Sequence, residues 1–206
     1  MAYVLGYFAA DGCMSRNKRG AHFIEFTSTD KQLLLLVQSL LGSNHAISVR
    51  NRFPLTQKAA YRLQIGSKQV FNDLASLGFT PAKSLTLKLP AIPKPYFGHF
   101  TRGYFDGDGH ASIIKPRNRP SNIIQSGFTS GSKQFLADLH TKLKEYARIE
   151  GGYLGYHQGY RLNFSVNDSL RLYEFMYQNG LDYCLKRKFL VFRKYITHTW
   201  TGSSVG

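Results

Sequence analysis

Two similar ten-residue segments that begin 97 positions apart constrain the fold of this chain more than any other feature. Val4–Cys13 reads VLGYFAADGC, and Thr101–His110 reads TRGYFDGDGH. Each is an apolar run of helical character that stops at a glycine, Gly12 or Gly109, a residue typical of the position just after a helix. The repeat predicts a chain built from two related halves, each beginning with a helix.

An aspartate stands in the last turn of each predicted helix, Asp11 in the first and Asp108 in the second. The negative end of the helix dipole disfavours a carboxylate there by about 0.3–1 kcal/mol. Small residues four positions apart would let the two helices pack closely, and the carboxylates would then repel each other unless a proton or a cation intervened. A divalent metal would resolve this conflict, whereas the alternative is ordinary Asp-Gly turn chemistry at the ends of core helices. The small residues are Gly6 and Ala10 in the first segment, and Gly103 and Gly107 in the second.

The charge of the chain predicts a polyanionic partner. Among 206 residues, 27 are Lys or Arg and 12 are Asp or Glu, so the formal net charge is +15. Hydrophobic residues make up 43% of the sequence, which is typical of a globular protein, and the basic residues are spread along predicted strands. Nucleic acid is therefore favoured over a membrane surface as the partner.

The sequence also predicts an intracellular protein without a membrane span. The longest aliphatic run, Leu33–Val37, is too short to cross a bilayer. Met1 precedes the first segment so closely that we expect no signal or transit peptide. The expected compartment is the cytoplasm or nucleoid, or an organelle matrix if the gene is organellar. Cys13 and Cys184 lack metal-ligand spacing and are expected to be reduced thiols.

Cap and turn signals predict the order αββαββα in each half, and hence an α+β fold in which two antiparallel sheets pack on helices and form a saddle. We predict a first repeat over 1–80, a linker over 81–95, a second repeat over 96–200 and a flexible tail over 201–206. After the first segment, the predicted strands span 13–18, 22–27, 45–53 and 60–66, and the predicted helices span 31–41 and 68–77. The second half is predicted to contain a hairpin over 112–129, strands over 152–157 and 160–166, and helices over 133–146, 169–178 and 184–196.

Alternation along the strands predicts that each sheet has one basic face. Arg62 and Gln64 alternate with Leu63 and Ile65, and Arg161 and Asn163 occupy the matching positions of the second half. In 46–52, Ser48, Arg50 and Arg52 likewise alternate with Ile47 and Val49. Arg, Gln and Asn side chains read purine edges in the DNA major groove, although any solvated sheet face is polar. The residues that we expect to contact DNA are Arg16, Lys18, Arg50, Arg52, Arg62, Gln64, Lys115, Arg117, Gln125, His157, Arg161 and Asn163.

The two segments resemble the paired motifs of the LAGLIDADG homing endonucleases in their single-chain, two-repeat form. The second copy has Gly103, two aromatics and Asp106-Gly107-Asp108-Gly109 in the register of the family. The first copy has Ala9 where the second has Asp106, so Asp106 is expected on a helix surface or near the groove. The resemblance implies that Asp11 and Asp108 are catalytic acids that bind the metal, with Gly12 and Gly109 as further metal contacts. It also implies Mg²⁺ or Mn²⁺ as the cofactor, while Ca²⁺ would support DNA binding without cleavage.

Basic residues after the third helix of each half are candidates for a second catalytic role. Lys83 follows that helix in the first half, and Lys186 and Lys188 lie at the corresponding place in the second. In the family a basic residue near this point flanks the active site, where it would offset charge on the phosphate or shift the pKa of a water. Nonspecific phosphate contact explains these lysines equally well, and spacing leaves the choice between Lys186 and Lys188 open. Asp30 and Ser132 could order active-site water, but helix capping explains them as well or better.

The resemblance implies a site-specific double-strand DNA endonuclease, intron-encoded and monomeric, that leaves short 3′ overhangs. Its expected target is an asymmetric, pseudo-palindromic site of about 20 bp, with about one helical turn for each half. Two alternatives use the same scaffold: an intron maturase that assists RNA splicing, and a DNA-binding regulator without catalysis.

Overall fold

The computed structural model describes residues 1–50, 59–117, 121–178 and 183–201, with side chains as far as His198. The chain divides into two compact units, Met1–Gly107 and Asp108–Gly206. Arg52 lies outside the described residues, as do residues 202–206 of the predicted tail.

The first unit contains one four-stranded antiparallel sheet and the helices that cover one of its faces. The strand order is β1-β2-β4-β3, so the second and fourth strands are central. The helices are α1 (Ala2–Asp11), α2 (Lys31–Leu40), α3 (Lys68–Ser76), a short 3₁₀ helix (Lys83–Leu85) and α4 (Lys94–Asp108), and the strands are β1 (Gly12–Arg16), β2 (His22–Ser28), β3 (Ile47–Arg50) and β4 (Ala60–Gly66).

Local signals explain where the helices of this unit begin and end. The Asp30 carboxylate accepts the Gln32 N–H at the start of α2, and the Ser67 hydroxyl accepts the Val70 N–H at the start of α3. Gly42 and Gly78 follow these helices with φ of 58° and 89°, a left-handed conformation that glycine adopts without strain. Asp30 is therefore a helix cap, one of the two roles that the sequence left open for it.

The core of the first unit lies between the sheet and its helices. Phe8 of α1 packs edge-on against Phe26 of β2 and Phe79, with ring centroids 5.6 and 5.3 Å apart, respectively. Leu63 and Ile65 of β4 are buried, whereas Arg62 and Gln64 are only half-buried. This burial pattern confirms the predicted alternation in β4.

Helices α1 and α4 approach each other at glycines. A Cβ on Gly6 would overlap the carbonyl oxygen of Phe100, and a Cβ on Gly103 would overlap that of Tyr3. Because the overlapping atoms belong to the backbone, no side-chain movement could relieve either clash. This geometry confirms that the small residues allow close packing of the two motif helices.

The second unit repeats the same order of strands and helices after α4. Its sheet has the strand order β5-β6-β8-β7, which matches the first sheet position by position. Phe128 and Phe164 meet edge-on beneath this sheet, and the Ser132 hydroxyl caps α5 by accepting the Phe135 N–H. The elements are β5 (Gly109–Ile114), β6 (Ile123–Ser130), α5 (Lys133–Ala147), β7 (Tyr153–Tyr156), β8 (Tyr160–Phe164), α6 (Val166–Tyr177) and α7 (Lys186–Thr201).

The α+β class and the repeated order of elements are confirmed. Gly12 directly follows α1, as predicted, with an extended backbone (φ −79°), and glycine is needed there because a Cβ would overlap the Phe8 ring. Val49 lies on the predicted face, opposite Arg50, since its register partner is Tyr61, yet it is 59% exposed. The reason is its place on the edge strand β3, since α2 packs mainly on β2 and β4.

Helix α4 begins at Lys94, and its residues up to Gly107 belong to the first unit. The compact units therefore divide the chain at 107/108, which is a different kind of boundary from that between sequence repeats. The repeats at 1–80 and 96–200 stay a prediction about internal duplication. In the part of the chain that the structure describes, every helix is too short or too polar to cross a membrane.

Candidate active site and nucleic-acid interface

The close packing of α1 on α4 determines where the first catalytic candidate lies. The Asp11 side chain, on the last residue of α1, is exposed, and its Oδ2 atom lies 3.1 Å from the position of a Cβ on Gly107. Asp108 is the next residue in the chain, ends α4 and is half-buried. Burial raises the pKa of the Tyr7 hydroxyl well above its ordinary value, and the nearby Asp11 carboxylate raises it further. Tyr7 is therefore a buried, neutral phenol close to the Asp11 carboxylate.

Asp106 has a different role from the one predicted. It is 1% exposed, so the expectation of a helix-surface or groove position was wrong. The Tyr3 hydroxyl of α1 donates to Asp106 Oδ2 at 2.7 Å, and the Arg102 guanidinium lies 5.8 Å from the Tyr3 ring centroid. Asp106 is thus a buried hydrogen-bond acceptor that joins α4 to α1, a role that the sequence did not reveal because Ala9 stands at the matching position of the first motif.

The structure separates the three lysine candidates. Lys83 is 5% exposed, and its Nζ lies 5.6 Å from the centroid of the Phe8 ring in the first motif helix. Lys188 is 7% exposed, and its Nζ donates to the Gly109 carbonyl, directly after the second motif helix, at 2.5 Å. Lys186 is exposed. Within the second unit, Lys188 is therefore the lysine that contacts the motif.

The residues at the motif ends fit a hard divalent cation. Among the described residues there is no group of three or more His, Cys, Asp or Glu side chains that could hold a metal. Mg²⁺ does not require such a cage, because it typically takes one or two carboxylates, substrate phosphate oxygens and water. The exposed Asp11 carboxylate beside the small residue Gly107 meets this requirement. The Gly109 carbonyl accepts from Lys188 and keeps a second lone pair, and the metal contacts expected at Gly12 and Gly109 stay predictions.

The open face of the first sheet combines basic side chains with one acid. Register places Arg62 and Gln64 of β4 on the same face as Glu25 of β2 and Arg50 of β3. Glu25 Oε2 lies 2.5 Å from a terminal nitrogen of Arg62, and Glu25 Oε1 lies 3.9 Å from one of Arg50. Arg62 is therefore held in place by Glu25, a residue that the sequence analysis missed.

The open face of the second sheet has a different arrangement. His110 Nε2 donates to Asn163 Oδ1 at 3.1 Å, and Arg161 is exposed on the same face. Burial lowers the pKa of His110 below its ordinary value; Arg161 and Lys188 also lower it, against the opposing effect of the bond to Asn163. His110 is neutral at neutral pH, and it fixes the orientation of the Asn163 amide.

The remaining DNA-contact predictions fall at different places. Gln125 is exposed and, by register, shares the open face of the second sheet with Arg161. Arg16 lies on the opposite, helix-covered side of its sheet, because it alternates with Cys13 and Ser15, and its Nε donates to His22 Nε2 at 3.0 Å. The other predicted contacts are exposed in turns and connections and do not lie on a sheet face: Lys18, Lys115, Arg117 and His157.

Comparison with family models gives one match, in the first part of the chain. Residues 1–77 match the model of the LAGLIDADG-like domain. No curated protein matches the sequence significantly.

Solved structures extend the likeness over nearly the whole chain. The homing endonuclease I-WcaI bound to its DNA recognition sequence superposes with a TM-score of 0.63 at 14% identity, over 91% of this chain and 84% of that one. The LAGLIDADG meganuclease I-AabMI bound to uncleaved DNA gives 0.62 at 13% identity, over 98% and 91%. The N-terminal LAGLIDADG domain of DUF199/WhiA gives 0.56 at 18% identity, over 85% and 79%. The chain therefore has the LAGLIDADG fold.

Proposed function

We propose that this protein is a metal-dependent endonuclease that cuts both strands of a specific DNA duplex. The observation that carries the proposal is the packing of α1 on α4, which sets the exposed Asp11 carboxylate against Gly107, the residue that precedes Asp108. Such packing gives a reason for an aspartate in the last turn of each motif helix. The likeness to homing endonucleases in complex with DNA, and the net charge of +15, support DNA as the substrate.

The proposed roles follow from the position of each side chain. Asp11 and Asp108 would hold the metal through their carboxylate oxygens. Lys83 and Lys188, buried beside the two motifs, offset the charge that develops on the phosphate in the transition state. When bound, Mg²⁺ or Mn²⁺ supplies activation of the attacking water and stabilisation of the leaving 3′ oxygen. With one acid serving each strand, we expect short 3′ overhangs.

The two sheet faces are proposed to contact the two halves of the target. Arg62 and Gln64 would read one half-site, and Arg161 and Asn163 the other, about one helical turn each. Because the two faces carry different side chains, we propose an asymmetric target of about 20 bp bound by one chain. We also propose that the gene for this protein lies within an intron, in line with the likeness to homing endonucleases.

The experiment that tests this function is cleavage of a randomised duplex library in Mg²⁺ by the wild type and by Asp108→Asn. We expect the wild type to cut selected duplexes and Asp108→Asn to lose about 1,000-fold or more in rate, with DNA affinity kept within about tenfold, because the carboxylate acts through the metal. Asp11→Asn should behave likewise, and chelation of the metal should stop cleavage. Wild-type rates in Asp108→Asn would remove that residue from the mechanism.

A DNA-binding regulator without catalysis is the second candidate. It is favoured by the presence of the WhiA domain among the similar structures. This candidate predicts specific binding from the same library with no cleavage in Mg²⁺, Mn²⁺ or Ca²⁺. An RNA maturase would instead bind structured intron RNA more tightly than any duplex DNA.

A further inference from the structure

Glu25 is the single acid in the eight strands that the structure describes. The other strand residues are apolar, small, polar or basic, including Arg50 and Arg62 in the same sheet. Glu25 lies on the open face, since its register partners are Cys13 and Gln64. A lone carboxylate on a surface proposed to meet a polyanion opposes binding by charge repulsion, so its presence calls for a function.

The matching position of the second sheet is occupied by glycine. Gly127 pairs with His110 and Asn163, just as Glu25 pairs with Cys13 and Gln64, and both lie on the strand second from the edge. A Cβ on Gly127 would overlap the carbonyl oxygen of Leu162 and come within 2.8 Å of the His110 ring. The second sheet therefore has no room for a side chain at the place where the first sheet carries Glu25.

Glu25 organises the basic residues around it. Its Oε2 pairs with Arg62 at 2.5 Å, and its Oε1 lies 3.5 Å from the Thr27 hydroxyl and 3.9 Å from Arg50. The Glu25 and Arg62 side chains are 17% and 21% exposed, so the pair is only partly solvated, and Arg62 Nε has no hydrogen-bond partner among the described residues. The ion pair thus holds the Glu25 carboxylate, a hydrogen-bond acceptor, next to the Arg62 guanidinium, a hydrogen-bond donor.

We propose that Glu25 is a specificity-determining residue that makes the two DNA-reading faces unequal. In the first unit it withholds Arg62 from nonspecific phosphate contact and accepts a hydrogen bond from a cytosine amino group in the major groove. Guanine or thymine at that position presents only acceptors in the major groove, so Glu25 Oε1 would be desolvated without a donor and the base would be rejected. The second unit, with Gly127 in place of the acid, contributes affinity without this selection. The inference rests on the proposed DNA binding but not on cleavage.

The test compares Glu25→Gln with Glu150→Gln. Both remove one negative charge and keep the size of the side chain, and Glu150 pairs with Arg171 outside the strands, at 2.7 Å. Binding is measured in EDTA, both to a duplex of random sequence and to variants of the target selected by the wild type. Thermal melting confirms that each variant is folded.

We expect Glu25→Gln to bind the random duplex about 3- to 10-fold more tightly at 0.1 M salt, with a salt slope about one unit steeper, because a freed arginine neutralises about one more phosphate. At one position of one half-site, a preference for cytosine of about tenfold or more should fall below about threefold. Glu150→Gln should change neither quantity by more than about twofold. Glu25→Gln and Arg62→Ala should be non-additive, because each removes the same pair.

Two outcomes would overturn the inference. One is a Glu25→Gln protein whose random-duplex affinity and base preferences equal those of Glu150→Gln. The other is weaker binding of random DNA by Glu25→Gln. A wild type that binds its selected target but never cleaves would contradict the proposed nuclease and leave the role of Glu25 standing, whereas a wild type that binds no duplex at all would contradict both.

Discussion

At the scale of single residues, the two halves of the chain place different chemistry at matching positions. Ala9 corresponds to Asp106, and Glu25 corresponds to Gly127. Asp106 is buried and accepts from Tyr3 across the helix pair, which explains why one motif keeps a second acid that cannot reach solvent. These differences leave the order of helices and strands the same in both halves.

Lys188 and Lys186 provide a sharp prediction at this scale. Lys188→Met should lower kcat by about 10- to 100-fold with little change in KM, because the ammonium group beside the Gly109 carbonyl is proposed to stabilise charge in the transition state. Lys186→Met, a matched change two residues away on the exposed side of α7, should stay within about twofold. Single-turnover cleavage of a selected duplex measures both. Equal losses in the two variants would assign these lysines to nonspecific phosphate contact.

At the scale of elements, the contact between α1 and α4 requires glycine on both helices. In a solvent-exposed helix, Gly→Ala stabilises by roughly 1 kcal/mol, since alanine has the higher helix propensity. At Gly103 the new Cβ would overlap the Tyr3 carbonyl oxygen, so the steric cost exceeds that gain. The identity of residue 103 is thus decided by the partner helix.

We therefore expect Gly103→Ala to lower the free energy of unfolding by about 1–3 kcal/mol, the usual cost of overpacking. Gly66→Ala is the control, because the nearest atom to its Cβ would be 3.6 Å away on the Phe23 side chain, an ordinary contact. Urea unfolding followed by circular dichroism compares the two. A Gly103→Ala protein as stable as the wild type would show that the helices do not pack as described.

Strand alternation in β4 gives a second prediction at this scale. Leu63 is fully buried, so Leu63→Ala should cost about 2–5 kcal/mol of stability and leave base preference unchanged in the folded fraction. Arg62→Ala should leave stability nearly unchanged but relax base preference at one or two positions of one half-site, with a loss of about 1–3 kcal/mol in binding. Arg161→Ala should do the same in the other half-site. The opposite result, a specificity change in Leu63→Ala alone, would mean that DNA contacts the face of the sheet that carries Leu63 and not the face that carries Arg62.

At the scale of the whole molecule, the net charge of +15 sets how strongly salt should oppose the proposed binding to DNA. The net charge of +15 is carried by a chain whose strands contain a single described acid, so the two open faces are basic as a set. Neutralised phosphates release counterions, and each contributes about −0.9 to the slope of log K against log salt.

If both open sheet faces bind DNA, the binding constant should fall steeply as the salt concentration rises. About 8–12 neutralised phosphates would give a slope between about −7 and −11. Titration of a selected duplex in EDTA at several salt concentrations measures it. A slope shallower than about −3 would mean that only a small part of the basic surface touches DNA.

The sequence by itself determined the repeated order of helices and strands, the close packing of the motif helices and the alternating faces of β4 and β8. These features depend on local periodicity, caps and small residues, which can be read without knowing what lies opposite. Only the tertiary structure decided that Asp106 is buried against Tyr3, that Lys188 rather than Lys186 contacts the Gly109 carbonyl, and that Glu25 holds Arg62. Each of these contacts joins residues at least 37 positions apart. Their distance and burial depend on which elements the fold brings together, and no pattern within a single element contains that information.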